Sequence, residues 1–451
     1  MNTGDTIAAI ATAAGAAGVG IVRISGPEAL AIGVRLAGAA PAPRHMALRW
    51  FQVDQDTPLD RGLFVQFPAP HSYTGEDMVE LHGHGGTVVM QTLLAGALAA
   101  GARQARPGEF TERAFLNGKL DLAQAEAVAD LIGSRTEQAA RAATRSLSGA
   151  FSEAVGELHE ALVHLRLHVE AAIDFPDEDI DFLDAPALRR EVDEVRAAFV
   201  DLDARVAAGR TLQEGLEVVL IGAPNVGKSS LMNALAGDDA AIVTPVAGTT
   251  RDLIRTPVSF DGVPVQLTDT AGLHDSDDEI EREGMRRSRA ALAKADHALL
   301  MADASAPTAV ATLKALAGEL PAGLTRTVVV NKMDIAAVPV PDYAAALECA
   351  SVSLSALTGT GLGDLQHHIV AHAIGQTDLE GSLSARTRHV RLLARAREHF
   401  EAGVVQLEAF KAGELLAEEL ALAQAALNDI TGTFTADDLL GKIFGEFCIG
   451  K

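Results

Sequence analysis

The chain has 451 residues, 48% of them hydrophobic and 22% charged, and at roughly 150 residues per domain this length suggests two to four domains. Its formal charge of −24 disfavours a free-standing nucleic-acid or membrane-surface binder, because phosphate groups repel such a surface. No apolar run approaches the ~20 residues of a membrane span, the start lacks the basic region of a secretory signal, and two cysteines make no disulfide framework, so we expect a cytoplasmic protein without membrane insertion.

Residues 1–118 mix short apolar runs with glycine and proline, which predicts an α+β domain. Strands are predicted over Val19–Ile24 and Leu63–Phe67. A helix is predicted over Thr87–Ala100, with Gly101 ending it.

From residue 119 the apolar spacing becomes helical. A first stripe predicts one long helix and consists of Leu147, Phe151, Val155, Leu158, Leu162, Leu165 and Val169. A second stripe runs from Leu188 to Val206, and Gly209 is predicted to cap that helix. After residue 385 the same spacing returns, and a last short helix carries Leu439, Leu440, Ile443 and Phe444.

Between these helical segments, strand-like and helical stretches alternate, which predicts a doubly wound, mostly parallel sheet. We therefore predict a helical domain in two pieces, residues 119–210 and 379–451, with an α/β domain inserted at 211–378. Such insertions are tolerated because the termini of a domain often lie close together at its surface.

The inserted segment contains "GAPNVGKSS" directly after a predicted strand and directly before a predicted helix, which is the context of a phosphate-binding P-loop. Its glycines let backbone N–H groups face the phosphates, Lys228 offers a point charge, and the Ser229 hydroxyl suits Mg²⁺. The predicted binding residues of the loop are Asn225, Val226, Gly227, Lys228, Ser229 and Ser230.

Three further motifs follow in the order typical of GTPases. "AGTTRD" offers Thr249 or Thr250 as a switch hydroxyl, "DTAG" offers an Asp for Mg²⁺ and a Gly for the γ-phosphate, and "NKMD" offers a carboxylate that accepts two hydrogen bonds from guanine. "SAL" adds a backbone contact to the base. The predicted residues are Ala247, Gly248, Thr249, Thr250, Asp269, Thr270, Ala271, Gly272, Asn331, Lys332, Met333, Asp334, Ser355, Ala356 and Leu357.

Leu273 follows "DTAG", so the amide side chain that orients water in Ras-type enzymes is absent from that position. Asn225 has an amide oxygen that suits a monovalent cation, although a role in stabilising the turn fits the sequence equally well. Glu281 is a candidate to orient water; the alternative is a solvated acid on a charged segment.

The chain stops at "FGEFCIGK", and Cys448 allows three interpretations. A lipid anchor is disfavoured, because the last residue is Lys451 and no polybasic stretch precedes it. A packed small thiol and a catalytic nucleophile both remain, and the second would need Lys442 or Lys451 to lower the thiol pKa.

Longer characteristic stretches are spread over nearly the whole chain: "GVGIVRISG", "EDMVELHGHGG", "PGEFTERAFLNGKLDLAQAEAVADLI", "GAPNVGKSSLMNALAG", "AIVTPVAGTTRD", "GELLAEELALAQAALNDITG" and "FTADDLLGKIFGEFCIGK". Together these stretches resemble the MnmE (TrmE) family of tRNA modification GTPases. The resemblance implies an N-terminal dimerisation domain like tetrahydrofolate-binding folds, a discontinuous helical domain and an inserted Ras-like G domain.

The same resemblance implies GTP hydrolysis that K⁺ stimulates through transient pairing of G domains. By family motif, Ser229 and Thr250 take Mg²⁺, and Glu281 orients water. The motif also implies a K⁺ site formed by Asn225, Thr244, Val246 and Thr249. The predicted nucleotide-binding residues of the switch segment include Thr244, Pro245 and Val246.

For the remaining chemistry, the resemblance implies a homodimer that works with an FAD-containing partner of the MnmG type. The pair would add a carboxymethylaminomethyl or aminomethyl group to C5 of the wobble uridine of tRNA. The carbon would come from 5-formyl- or methylene-tetrahydrofolate. The implied folate contacts are Arg23, Glu80, Lys119 and Lys451, with Cys448 near the reacting carbon.

The rival interpretation is a regulatory or ribosome-assembly GTPase, which an appended basic RNA-binding domain would favour. The sequence shows no such domain. A basic cluster is a candidate for tRNA contact, although a solvated helix face is the simpler interpretation, and it consists of Arg386, Arg388, Arg391, Arg395 and Arg397.

Overall fold

The protein is described from a computed structural model that covers residues 4–53, 57–174, 186–237, 255–269, 290–305, 310–336, 339–374, 379–432, 437–445 and 447–450. Contacts divide the chain into two compact units. Unit 1 comprises Met1–Ala129 and Gln424–Lys451, and unit 2 comprises Asp130–Ala423. Within the described ranges, no helix has the length and apolar character needed to cross a membrane.

Unit 1 is built on a mixed sheet with strand order β3-β4-β5-β2-β1-β6. Its strands are β1 (Ile7–Ile10), β2 (Gly20–Ser25), β3 (Ala47–Gln52), β4 (Pro58–Phe67), β5 (Met78–Gly83) and β6 (Arg103–Gln104). The predicted strands in the N-terminal region correspond to β2 and β4. Side chains on one face of this sheet form an apolar core with α1 (Ala29–Ala37) and α2 (Thr87–Ala99), so the helix predicted before Gly101 is also confirmed.

The remaining helices of unit 1 bring the chain's C-terminal segment onto the N-terminal domain. Helix α3 (Glu109–Leu116) precedes α4 (Leu122–Gly133), and α14 (Asp437–Gly445) lies against both. The predicted last helix is therefore present, and its buried Leu440, Ile443 and Phe444 pack around Leu122.

Unit 2 contains long helices whose apolar stripes match the predicted spacing. They are α6 (Ala150–Asp174), α7 (Pro186–Glu214), α12 (Thr387–Phe410) and α13 (Gly413–Thr431), the last of which continues into unit 1; the shorter α5 (Glu137–Leu147) precedes them. Two predictions were wrong. Leu147 belongs to α5 rather than to the long helix, because the chain turns at Gly149 with a φ of 104°. Gly209 does not cap α7, which continues to Glu214.

The inserted segment folds as a doubly wound sheet with strand order β12-β11-β10-β7-β9-β8, in which β8 alone is antiparallel among the described pairings. Its strands are β7 (Leu216–Ile221), β8 (Arg255–Phe260), β9 (Val263–Asp269), β10 (His297–Asp303), β11 (Thr325–Asn331) and β12 (Ala350–Ser353). Its helices are α8 (Lys228–Ala236), α9 (Val310–Gly318), α10 (Tyr343–Leu347) and α11 (Leu362–Ile374). Apolar clusters fill both faces of the sheet, as a parallel sheet requires.

These elements confirm the predicted fold class, which combines an α+β N-terminal domain, a discontinuous helical domain and an inserted α/β domain. The predicted domain boundaries remain predictions, because the two compact units combine segments from different predicted domains. In an open α/β sheet, ligands bind beyond the carboxyl ends of the parallel strands. The candidate site is therefore expected where β7, β9, β10 and β11 end.

Candidate nucleotide-binding site

The P-loop leaves the end of β7 and turns directly into α8. Gly227 has a φ of 99°, in the left-handed region that favours glycine. A Cβ at this position would overlap the side-chain amide of Asn331. Glycine is therefore required at this position both by the backbone turn and by the close approach of β11.

The Lys228 side chain lies across the loop that precedes it. Its Nζ donates hydrogen bonds to the carbonyl oxygens of Gly222, at 2.8 Å, and Ala223, at 3.2 Å. Ser229 is exposed in the first turn of α8, where backbone N–H groups have no helical partner. A positive charge, free helix-start N–H groups and a hydroxyl thus meet at one place, which suits a phosphate chain.

Asn331 joins three of the predicted motifs through its side chain. Its Nδ2 donates to the Val226 carbonyl oxygen, at 3.1 Å. Its Oδ1 accepts from the backbone N–H of Lys332, at 2.8 Å, and of Ala356, at 3.0 Å. Because Asn331 is 1% exposed, these bonds are shielded from water and fix the P-loop, "NKMD" and "SAL" relative to one another.

Lys332 connects the same motifs to a residue that the sequence analysis missed. Its Nζ donates to the Asn225 carbonyl oxygen, at 2.9 Å, and to Asp303 Oδ2, at 2.6 Å. Burial opposes ionisation of Asp303, but hydrogen bonds from Lys332 and Ser305 lower the pKa of that carboxyl below its usual value. The sequence feature that could have identified Asp303 is its position at the end of a strand, since Asp303 ends β10 beside Asn331 at the end of β11.

Asp334 lies in the base-recognition part of the site. Its Oδ1 accepts a 2.6 Å hydrogen bond from the Ser355 hydroxyl, so the carboxylate is held by the "SAL" segment. Ser355 is 1% exposed, whereas Leu357 is 86% exposed and makes the outer edge of the site. A carboxylate fixed in this way can accept two N–H groups from a guanine edge, which an adenine edge does not offer.

Asp269 ends β9 at the same edge of the sheet. It is 6% exposed and pairs in register with Leu220 of β7, one residue before the strand ends. Its carboxylate and the Ser229 hydroxyl are hard oxygen donors of the kind that Mg²⁺ prefers. The predicted switch residues Thr244–Thr250 and Thr270–Gly272 and the candidate Glu281 lie outside the described residues.

A second group of predicted residues lies on the sheet of unit 1. Arg23 Nε donates to Glu80 Oε1, at 2.9 Å, and His82 Nε2 donates to Glu80 Oε2, at 3.0 Å. Burial opposes ionisation of Glu80, but the His82 hydrogen bond and the Arg23 charge lower its pKa. The Arg23 guanidinium also lies 5.6 Å from the ring centres of Tyr73 and Phe110, a distance at which a cation is attracted to an aromatic ring.

The other predicted folate and tail residues also lie in unit 1. Lys119 Nζ donates to the Pro70 carbonyl oxygen, at 3.0 Å, so it contacts the loop that carries Tyr73. Cys448 is exposed, and its carbonyl oxygen accepts a 3.4 Å hydrogen bond from the Gly108 N–H. The structure thus attaches the tail beside the start of α3. Lys451 lies outside the described residues.

The basic cluster at the start of α12 is partly used for internal contacts. Arg386 forms an ion pair with the buried Asp130, and Arg397 pairs with Asp203 on α7. Arg388 contacts the ring nitrogen of His389. Arg386 and Arg397 therefore connect α12 to α4 and α7, whereas the Arg388 contact stays within α12.

Together, the P-loop, the Asn331 contacts and the held Asp334 carboxylate define a nucleotide site of the P-loop GTP-binding class. Family models agree with this reading over most of the chain. The model described as the MnmE helical domain matches residues 122–448, and the model described as the GTP-binding protein TrmE N-terminus matches residues 6–119.

Curated relatives match the chain almost end to end. The tRNA modification GTPase MnmE of Stutzerimonas stutzeri is 51% identical over 457 residues, which is 99% of both chains. The one from Xanthomonas campestris pv. campestris strain B100 is 51% identical over 99% of both chains, and the one from a Marinomonas species is 48% identical over 99% of this chain and 98% of its own. The chain belongs to the MnmE family.

Among solved structures, the G domain of the T. maritima FeoB iron transporter is 27% identical over 35% of this chain and 98% of its own, with a TM-score of 0.29. A score this low supports no conclusion on its own.

Proposed function

We propose that this chain is a tRNA modification GTPase that hydrolyses GTP as part of a complex modifying C5 of the wobble uridine. The observation that carries the proposal is the buried Asn331 side chain, which assembles the P-loop and both base-recognition motifs into one site. The chain is 51% identical, over 99% of both chains, to curated tRNA modification GTPases, and this supports the role in tRNA modification.

For the nucleotide, we assign a role to each part of the described site. Lys228 and the N–H groups at the start of α8 bind the phosphates, while Asp334 accepts hydrogen bonds from guanine. Ser229 and Thr250 would hold Mg²⁺, with Asp269 behind them, and the ion would neutralise charge on the phosphate oxygens. Ser229 and Asp269 fit that ion because both offer oxygen atoms at the same sheet edge.

For hydrolysis, Glu281 is assigned to orient the attacking water, since Leu273 leaves no amide side chain at the Ras-type position. Asn225 is exposed on the loop with a φ of 63°, which leaves its amide oxygen available for K⁺. Thr244, Val246 and Thr249 would complete that set. K⁺ would supply the positive charge that an arginine finger supplies elsewhere, and G domains of two chains would pair around it.

For the carbon chemistry, Arg23, Glu80, Lys119 and Lys451 are assigned to bind a tetrahydrofolate carrier. The Arg23 guanidinium is held by Glu80 and lies over the rings of Tyr73 and Phe110, which supports one fixed cationic contact for that ligand. Cys448 is the candidate nucleophile, and its exposure beside α3 makes it accessible. We assign a cytoplasmic homodimer that works with an FAD-containing, MnmG-type partner on tRNA; the partner would supply the redox cofactor and basic surface.

The proposal is tested by GTP hydrolysis and wobble-uridine analysis on the same preparations. We expect hydrolysis to rise strongly when K⁺ replaces Na⁺. We expect Glu281→Ala to abolish turnover with GTP affinity nearly unchanged, and equal loss of binding and turnover would reject the role of Glu281. Extracts without the chain should lack the modified uridine and regain it when the chain is added. Unmodified tRNA after that addition would reject the assignment.

A further inference from the structure

The chain leaves the inserted domain through residues 379–386, a segment of mostly irregular backbone that we call the return strap. After a short 3₁₀ turn at Leu379–Gly381, the strap reaches α12 without further regular structure. Residues 382–385 are nevertheless at most 3% exposed. Connecting segments normally run over the surface, because buried backbone polar groups each need a partner.

Side chains of α5 provide part of those partners. The Arg145 guanidinium donates to the Ser382 carbonyl oxygen from Nε, at 3.0 Å, and from Nη2, at 2.8 Å. The neighbouring Ser146 hydroxyl donates to the Ser384 carbonyl oxygen, at 3.2 Å. Two successive residues of one helix thus hold two carbonyl groups of the strap.

Helix α7 holds the strap from its other side. The Leu383 N–H donates to the Arg205 carbonyl oxygen, at 3.3 Å. One turn later, Gly209 lies so close that an added Cβ would overlap the Leu383 carbonyl group. Because α7 leads into the inserted domain and the strap leads out of it, the two connections of that domain are fastened to each other.

Asp130, near the end of α4, fixes the last part of the strap. Its Oδ2 accepts from the Ser384 hydroxyl, at 2.6 Å, and its Oδ1 accepts from Arg386 Nε, at 3.0 Å, and Nη2, at 2.8 Å. The Asp130 side chain is 2% exposed. A buried ion pair contributes little net stability compared with apolar residues of the same volume, so its better-supported use is to specify one arrangement.

We propose that Asp130 is a positioning residue for the coupled reaction: by fixing Ser384 and Arg386, it makes the return strap a rigid joint that passes changes in the G domain to the helical domain. This inference rests on the proposed function. A loose strap would absorb those changes, so hydrolysis and modification would become independent of each other.

The test compares full-length Asp130→Asn with full-length wild type. Three quantities are measured: GTP hydrolysis in K⁺, wobble-uridine modification, and amide hydrogen exchange of residues 382–386. We expect hydrolysis within about twofold of wild type and modification lowered about tenfold, a typical coupling factor between sites. We also expect faster exchange in the strap. Arg386→Gln should behave in the same way, and the double variant should be no worse than either single variant, because both act through one contact.

The matched control is Glu401→Gln, which removes the Arg196–Glu401 ion pair between α7 and α12 without touching the strap. It should leave the ratio of modification to hydrolysis unchanged. A parallel fall of hydrolysis and modification in Asp130→Asn would overturn the proposal. It would also be overturned if Glu401→Gln lowered the ratio of modification to hydrolysis as much as Asp130→Asn does. Amide exchange of the strap does not depend on tRNA. If exchange in Asp130→Asn is the same as in wild type, the rigid joint is refuted. If wild type itself does not modify tRNA, the proposed function is refuted, and the exchange result still tests the joint separately.

Discussion

Replacing Gly209 with alanine adds a single methyl group and tests whether the return strap packs against α7. It lies inside α7, is buried, and faces the return strap. An alanine Cβ there would overlap the Leu383 carbonyl oxygen and lie 2.5 Å from its carbon. Gly156 is the matched control, because it lies inside α6 and an added Cβ there meets nothing within 4 Å.

Two opposing terms set the size of the effect. Alanine is favoured over glycine in a helix interior by about 0.8–1 kcal/mol, and this gain applies at both positions. At Gly209 the clash is with backbone, and relieving it would stretch hydrogen bonds from Arg145 and to Arg205, so we assign a cost of about 2–3 kcal/mol. Gly209→Ala should therefore destabilise by about 1–2 kcal/mol, while Gly156→Ala should stabilise by about 0.5–1 kcal/mol.

The assay is thermal unfolding followed by circular dichroism, with both variants prepared in the full chain. At about 2–4 °C per kcal/mol, the Tm values of the two variants should differ by roughly 3–12 °C, with Gly156→Ala the higher. Equal Tm values, or a higher Tm for Gly209→Ala, would show that the strap is not packed against α7 as described.

Three further outcomes are expected. Asp334→Asn should lower GTP affinity by about 100-fold and raise affinity for xanthosine triphosphate, because an amide N–H donates a hydrogen bond where the carboxylate accepts one. Competition against a fluorescent nucleotide measures both affinities. An unchanged preference for GTP would contradict the role of Asp334. Burial, with the charges of His368 and His372, lowers the pKa of His297 from 6.5 to about 4, so only the unfolded chain takes up a proton between those values. The free energy of unfolding should thus fall by about 2 kcal/mol between about pH 7.5 and about pH 5, which chemical denaturation measures, and His297→Asn should flatten that dependence. Removing residues 448–451 should preserve GTP hydrolysis and abolish uridine modification; retained modification would make Cys448 dispensable.

Much of the candidate site was predictable because its functional residues lie in short contiguous motifs. A P-loop needs glycines, a lysine and a hydroxyl within a few positions, so Gly227, Lys228 and Ser229 could be placed before any fold was known. The structure brings them to one sheet edge with Asn331 and Asp334, as a parallel sheet demands. The helical stripes were equally visible, because the burial of a helix face follows a period of 3.6 residues.

The sequence did not show how distant segments meet. Asp303 has no motif around it, and only the alignment of β10 with β11 places its carboxylate against Lys332. Gly209 matches the pattern of a helix cap, and only the crossing strap explains why glycine stands inside the helix.

By itself, the sequence determined the fold class, the order of the domains and the nucleotide motifs, since each depends on spacing along a few turns or strands. Tertiary structure decided which polar residues become partners: Ser384 and Asp130 lie 254 positions apart and share a hydrogen bond. Chain separation on that scale leaves no local pattern, because such a contact exists only once helices and sheet have packed.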